Sequence, residues 1–297
     1  MSWARRLINT LWLQNYLRFY EIMHYPVPTN ADFYLQYSEN ELPPKLKNSL
    51  KTNRNEINDH DFSREKKSKY MDEYLAEIKR IKPVLQSIPF VHQIFLCNSI
   101  TFNALDDNSD IDLFIIAQPW RIRSVKFRSM IFFLLNWSKR LWKNIRKKIC
   151  LSFFITSDRQ DLYRISLPTL DIYLAYRIAH LVPIYKWEKD SDFNSIYHQN
   201  KRIKWILPNF PEKQTISLWI KPIEWNSKIK NILEFLWNSR LWNIFERIVK
   251  HLQKSIIRLK RIRNPVLNKD VIISDSMLKF HQDLREKISL KYNVKIK

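Results

Sequence analysis

The sequence contains no glycine in 297 residues. At the usual frequency of about 7%, roughly 20 would be expected. Every left-handed backbone position must therefore be filled by a residue with a side chain, asparagine being the most tolerant. Tryptophan, normally among the rarest residues, occurs 11 times. Three explanations fit: UGA codons that mean glycine in the source and were translated as tryptophan, deliberate exclusion of glycine, or extreme compositional drift. Trp120, in a Pro-Trp-Arg sequence leaving an apolar segment, stands where a Pro-Gly turn would be natural. TGG codons at Trp120 and Trp187 would exclude the first explanation.

Cysteine is nearly absent. Cys97 and Cys150 are too few for a disulfide framework or a thiolate zinc site, so a reducing, cytoplasmic setting is expected. Long apolar runs are missing too. The best, Met130 to Leu135, is flanked by Arg128 and Lys139, far short of the 18 or more residues of a membrane span. Residues 1–13 carry two arginines and a short apolar stretch, but no small-residue cleavage site precedes the polar Gln14–Asn15, so a signal peptide is not expected.

Acidic residues are the scarce charge: 29 against 51 Lys and Arg, for a net charge of +22. Residues 201–297 alone hold 22 basic and 8 acidic residues. Such a field favours polyanions, including nucleic acid, nucleotides and anionic membrane surfaces. A lysine-rich proteome drifting basic accounts for it equally well. With 45% apolar residues, disorder is excluded for most of the length.

Along the chain, Trp12, Tyr16, Tyr20 and Met23 recur at near-helical spacing before Pro26 and Pro28. Residues 64–86 predict a long amphipathic helix ended by Pro89. Val91–Ser99, Ile111–Ala117 and Ile149–Thr156 are short apolar segments rich in strand formers, with a basic helical stretch over 121–147 between the last two. Helices are expected over 173–185 and 194–205. A long basic amphipathic helix is expected over 226–263, broken near Asn238–Ser239. Ser274 reads as the N-cap of a final helix over 277–292. Two strands, a basic helix and a third strand predict an α/β core with a mixed sheet flanked by helices.

The chemistry concentrates between Ile94 and Ile116. A strand ends at Asn98–Ser99, and ten residues later Asp110-Ile111-Asp112 opens the next. Alternate residues of a strand share a face, so Asp110 and Asp112 are expected to project together while Ile111 and Leu113 enter the core. Two carboxylates about 5 Å apart repel by roughly 3 kcal/mol at an effective dielectric near 20. A protonated partner or an intervening cation relieves that repulsion. Oxygen-only ligands favour Mg²⁺ or Mn²⁺, whose shells are completed by phosphate oxygens and water.

This stretch resembles the nucleotidyltransferase superfamily, the polymerase-beta-like fold: a Gly-Ser at a strand end, a spacer of about ten residues, then Asp-x-Asp on the next strand. Asn98-Ser99 stands for the first part and Asp110-Ile111-Asp112 for the second. The segments 87–91, 149–154, 171–185 and 207–210 add to a likeness covering about residues 64–210. The resemblance implies three parts: an N-terminal winged-helix-like module at 1–62, a nucleotidyltransferase-like domain at 63–210, and a basic helical region at 211–297. It also implies Mg²⁺ or Mn²⁺ on Asp110 and Asp112, with NTP phosphate at Asn98 and Ser99. Arg121, just past the second strand, is expected to reach phosphate. The activity implied is transfer of an NMP from an NTP to a hydroxyl acceptor. Such enzymes carry a third carboxylate on a later strand; the matching segment here offers Cys150 and Ser152, and Asp158 and Asp161 lie beyond its end. The alternative is a protein of this fold that has lost turnover and binds RNA, another polyanion or a protein partner.

Overall fold

Tyr74, Ile78, Ile81 and Leu85 fall on one side of a helix and are all buried. That stripe seats α1 (Phe62–Ser87) against one face of a sheet. The computed structural model describes residues 62–102, 104–135, 146–166, 171–186, 195–200, 223–224, 228–237, 240–263 and 271–280, together with Met23. Met23 is helical and packs against the core. The remainder of the expected winged-helix-like module, residues 136–145 of the basic stretch and residues 281–292 lie outside the described residues.

Seven strands among the described residues form one mixed sheet in the order β5-β4-β1-β2-β3-β7-β6. They are β1 (Val91–Cys97), β2 (Ile111–Ala117), β3 (Ile149–Thr156), β4 (Val182–Lys186), β5 (Ile223–Glu224), β6 (Ile272–Ile273) and β7 (Met277–Lys279). β1 and β2 are antiparallel, whereas β2 and β3 are parallel. β2 is buried along its whole length, as a central strand covered on both faces requires. Ile111, Leu113, Ile115 and Ala117 face α1 and α2 (Ile122–Leu135); Phe114 and Ile116 face α3 (Ile172–Ala179). The parallel crossover from β2 through α2 to β3 is the α/β unit expected from the sequence.

Two expectations are corrected. The helix expected over 173–185 stops at Ala179 and gives way to β4. His180 ends it, its Nδ1 2.8 Å from the Tyr176 carbonyl and its ring stacked on Phe102. Nor is Ser274 a helix cap. Its hydroxyl accepts the Met277 N–H at 2.8 Å and holds the turn of the β6–β7 hairpin. The expected helix over 194–205 is described only as α4 (Ser195–Gln199). The long basic helix is present as α5 (Lys228–Trp237) and α6 (Arg240–Arg263).

Strands from beyond residue 211 complete this sheet: β5 pairs with β4, and β7 pairs with β3. α6 docks on α2 through Glu246, whose carboxylate accepts the Ser124 N–H at 2.8 Å in the first turn of α2. An acid there satisfies an orphan donor and complements the helix dipole.

Among the described residues, four adopt positive φ: Phe90, Asn98, Trp120 and Lys147. At Trp120, φ is 64°, Pro119 precedes it, and the Arg121 N–H returns to the Gln118 carbonyl at 3.2 Å. Proline second and positive φ third is the arrangement of a type II turn, whose third position ordinarily takes glycine. The Trp120 side chain is 76% exposed, so packing does not hold it there.

Candidate metal centre

β1 ends where β2 and β3 begin. Cys97 on β1, Asp112 on β2 and Cys150 on β3 are register partners across the three strands. A side chain in such a row shares its face with its lateral neighbours. Beyond Asp112 the β2–β3 register shifts before Phe114 pairs with Phe153, a bulge of the kind that re-aims side chains.

Asp110 lies one residue before β2, and its position is set from the side of α1. Tyr74 donates to the Ser109 carbonyl at 2.6 Å, and Tyr70 donates to Asp107 at 2.8 Å. Within the turn, Asp106 accepts from the Asn108 N–H and the Ser109 hydroxyl. The chain then joins the sheet, with the Ile111 N–H on the Lys148 carbonyl at 2.9 Å. Burial pushes the Tyr74 hydroxyl up to about 12, so it remains a donor throughout the neutral range.

One donor atom each from Asp110, Asp112 and Cys150 lies within 4.8 Å of the others. Asp112 and Cys150 are buried, and Asp110 is half-buried. The expected pairing of the two acids on one face is therefore present, and the group can hold a metal ion. Two carboxylates suit a hard dication; the Cys150 sulfur is a softer donor.

Asn98 joins the same cluster. Its φ is 62°, the left-handed value that asparagine tolerates best after glycine. Its Nδ2 donates to Asp112 Oδ2 at 2.7 Å, which helps to fix the carboxylate. A tight 3₁₀ turn, Asn98–Ile100, follows. The Thr101 and Phe102 N–H groups return to the Asn98 carbonyl, and Ala104 N–H to that of Ser99. Ser99 is thereby half-buried directly after the end of β1.

Arg121 is not brought to this cluster. It follows the opposite end of β2, five residues or about 17 Å of strand beyond Asp112. It is buried, with its guanidinium donating to Asn243 at 2.7 Å and lying over the Phe90 ring. A cation whose charge is felt at Cys97, the register partner of Asp112, is Arg177 of α3. Burial pushes the Cys97 thiol up, Asp112 and Asp110 add to the rise, and Arg177 opposes it. Arg177 also lies over the Tyr173 ring, 4.3 Å from its centroid. Sequence reasoning passed over Arg177 because it sits about 65 residues away, in a segment read as a helix over 173–185.

Asp158 and Asp161 follow the far end of β3 and stay away from the cluster. Asp161 caps a 3₁₀ turn by accepting the Tyr163 N–H at 3.0 Å, while Asp158 is exposed beside Arg159. The place next to Asp112 on β3 belongs to Cys150.

No family model matches the chain, and neither a curated protein nor a solved structure is detectably similar to it.

Proposed function

We propose that the chain is a divalent-metal-dependent nucleotidyltransferase that moves an NMP from an NTP to a hydroxyl acceptor. The observation that carries the reading is the convergence of Asp110 and Asp112 on one donor cluster beside the turn that ends β1. Asp110 and Asp112 hold the ion, and Asn98 orients Asp112 through its amide. A bound Mg²⁺ or Mn²⁺ supplies charge neutralisation for the triphosphate and for the transition state of in-line attack at the α-phosphate. Ser99 contacts phosphate from the end of β1. Arg177 takes the role expected of Arg121, a positive charge facing the anionic substrate. Cys150 as third donor shifts preference toward Mn²⁺, the softer of the two ions.

The test is incorporation of label from α-labelled NTPs by the purified protein with Mg²⁺ or with Mn²⁺. Mn²⁺-supported incorporation that disappears in Asp110→Ala and Asp112→Ala supports the reading. No incorporation with any of the four nucleotides counts against it.

One observation favours a second reading. A thiol, not a carboxylate, stands beside Asp112 on β3, where a general base for the attacking hydroxyl would be a carboxylate. On this reading the chain keeps the fold and binds RNA or another polyanion without turnover. Salt-sensitive RNA binding that survives Asp110→Ala with Asp112→Ala, without incorporation, selects it.

A further inference from the structure

The solvent side of α6 (Arg240–Arg263) is built from two contrasting strips. Ile244, Ile248, Leu252, Ile256, Leu259 and Ile262 recur every three or four residues, and each is at least 51% exposed. At 100° per residue they cover an arc of about 120°. Arg247, His251, Lys254 and Arg258, all exposed, follow the same helix along one border of that arc. The helix carries eight Lys or Arg and a single acid, Glu246.

The opposite side of α6 is fixed to the protein. Glu246 accepts the Ser124 N–H, Asn243 accepts from Arg121, and Val249 is buried, while Phe245, within the apolar arc near the start of the helix, meets Phe127 edge-on at 5.5 Å. Lys250 pairs with Asp275 at 2.8 Å. With that side anchored, the apolar strip points outward as a built surface. The preceding helix α5 exposes Ile232 and Phe235 as well.

We infer that α6 lies on anionic lipid membranes, its aliphatic strip entering the interface and its basic border meeting acidic headgroups. Three occupants compete for such a face, and charge and chemistry separate them. A second copy of α6 would bring two basic borders together with no acid to offset them, since Glu246 is turned inward. RNA would use the basic border but gains nothing from six exposed aliphatic side chains, which offer no ring for a base to stack on. An anionic bilayer uses both strips at once, as amphipathic helices in the membrane plane do. No helix among the described residues is long and apolar enough to cross a membrane, so attachment is peripheral. At about 36 Å, α6 is long enough to lie flat along the surface.

The experiment is flotation of the full chain with vesicles of phosphatidylcholine alone and of phosphatidylcholine with phosphatidylglycerol. Binding is expected only with the anionic vesicles. It should fall about tenfold or more in Ile248→Asp with Leu252→Asp. It should fall about a hundredfold at low salt in Arg247→Gln with Lys254→Gln and Arg258→Gln. All these side chains face solvent, so the melting curve is expected to stay in place. Should the aspartate pair disturb folding, Ile248→Ser with Leu252→Ser replaces it. Asp110→Ala with Asp112→Ala should leave flotation unchanged, which separates this surface from the metal centre. Three results overturn the inference: absence of flotation, flotation undiminished by the apolar variants, or a dimer in light scattering that those variants dissolve.

Discussion

Single residues carry the clearest imprint of the missing glycine. A side-chain-bearing residue in the left-handed region costs roughly 1–2 kcal/mol, and glycine avoids that cost at the expense of a more disordered unfolded chain. At Trp120, with φ of 64° and an outward-facing ring, no packing opposes the exchange. Trp120→Gly is therefore expected to stabilise the protein by about 1 kcal/mol in urea denaturation. Trp120→Ala, which keeps the Cβ, should gain little. A destabilised glycine variant would show that the indole contributes something its exposure conceals. The turn was legible in the sequence because Pro119 and the end of an apolar run mark it. Asn98 shows the other outcome of the same constraint. There the residue taking the left-handed position also orients Asp112, so substituting glycine would relieve no strain worth the lost hydrogen bond.

At the scale of elements, the candidate metal centre is a meeting of three strand ends, and its third position is open to redesign. Cys150→Asp places a carboxylate beside Asp112 on β3 and is expected to move the metal preference from Mn²⁺ toward Mg²⁺. Isothermal titration with each ion checks this without any assay of turnover. The turn before Asp110 gives a pH dependence. Tyr74 titrates near 10 in the unfolded chain and near 12 in the folded one. The folded state therefore holds the extra proton between those values. This stabilisation is complete below about pH 10 and is lost as pH rises toward 12. Tyr74→Phe should flatten that part of the Tm profile relative to the unaltered protein. Elements were legible where a short apolar run was bounded by polar or turn residues: β2 lies at Ile111–Ala117, between Asp110 and Gln118-Pro119. They were hidden where one pattern served two structures. Residues 172–186 are mostly apolar and hold no glycine, and His180 and Pro183 are the only marks of the step from α3 to β4. Ser274 was misread because a serine hydroxyl caps a helix and closes a hairpin by the same bond to a nearby N–H. Arg177 was missed because proximity in sequence pointed to Arg121, whereas β2 runs away from Asp112 and leaves Arg121 at the opposite end of the sheet.

Across the whole molecule, the segments beyond residue 211 are joined to the central sheet by buried polar ties as well as by strand pairing. Lys230 of α5 is fully buried. Its Nζ donates to the Val91 carbonyl at 2.7 Å and to the Tyr185 hydroxyl at 3.0 Å, with Glu234 at 3.7 Å. Glu234 in turn accepts the Phe90 N–H at 2.6 Å, supporting a residue whose φ of 62° is strained for a bulky side chain. One ammonium thus binds α5 to β1 and β4, while its carboxylate partner holds the chain entering β1. Removing the cation leaves a carbonyl without its donor and a partly buried carboxylate without its counter-charge. The loss of one member of such a group costs about 3–5 kcal/mol. Lys230→Ala is expected to lower stability by about 3 kcal/mol in urea, because Glu234 retains some contact with water. Lys230→Met with Glu234→Gln, which removes both charges and keeps the volume, should recover much of it. Hydrogen exchange in Lys230→Ala is expected to speed up in α5, β1 and β4 together, since the same ammonium holds all three. Faster exchange confined to α5 would mean that the helix and the sheet are held by separate contacts.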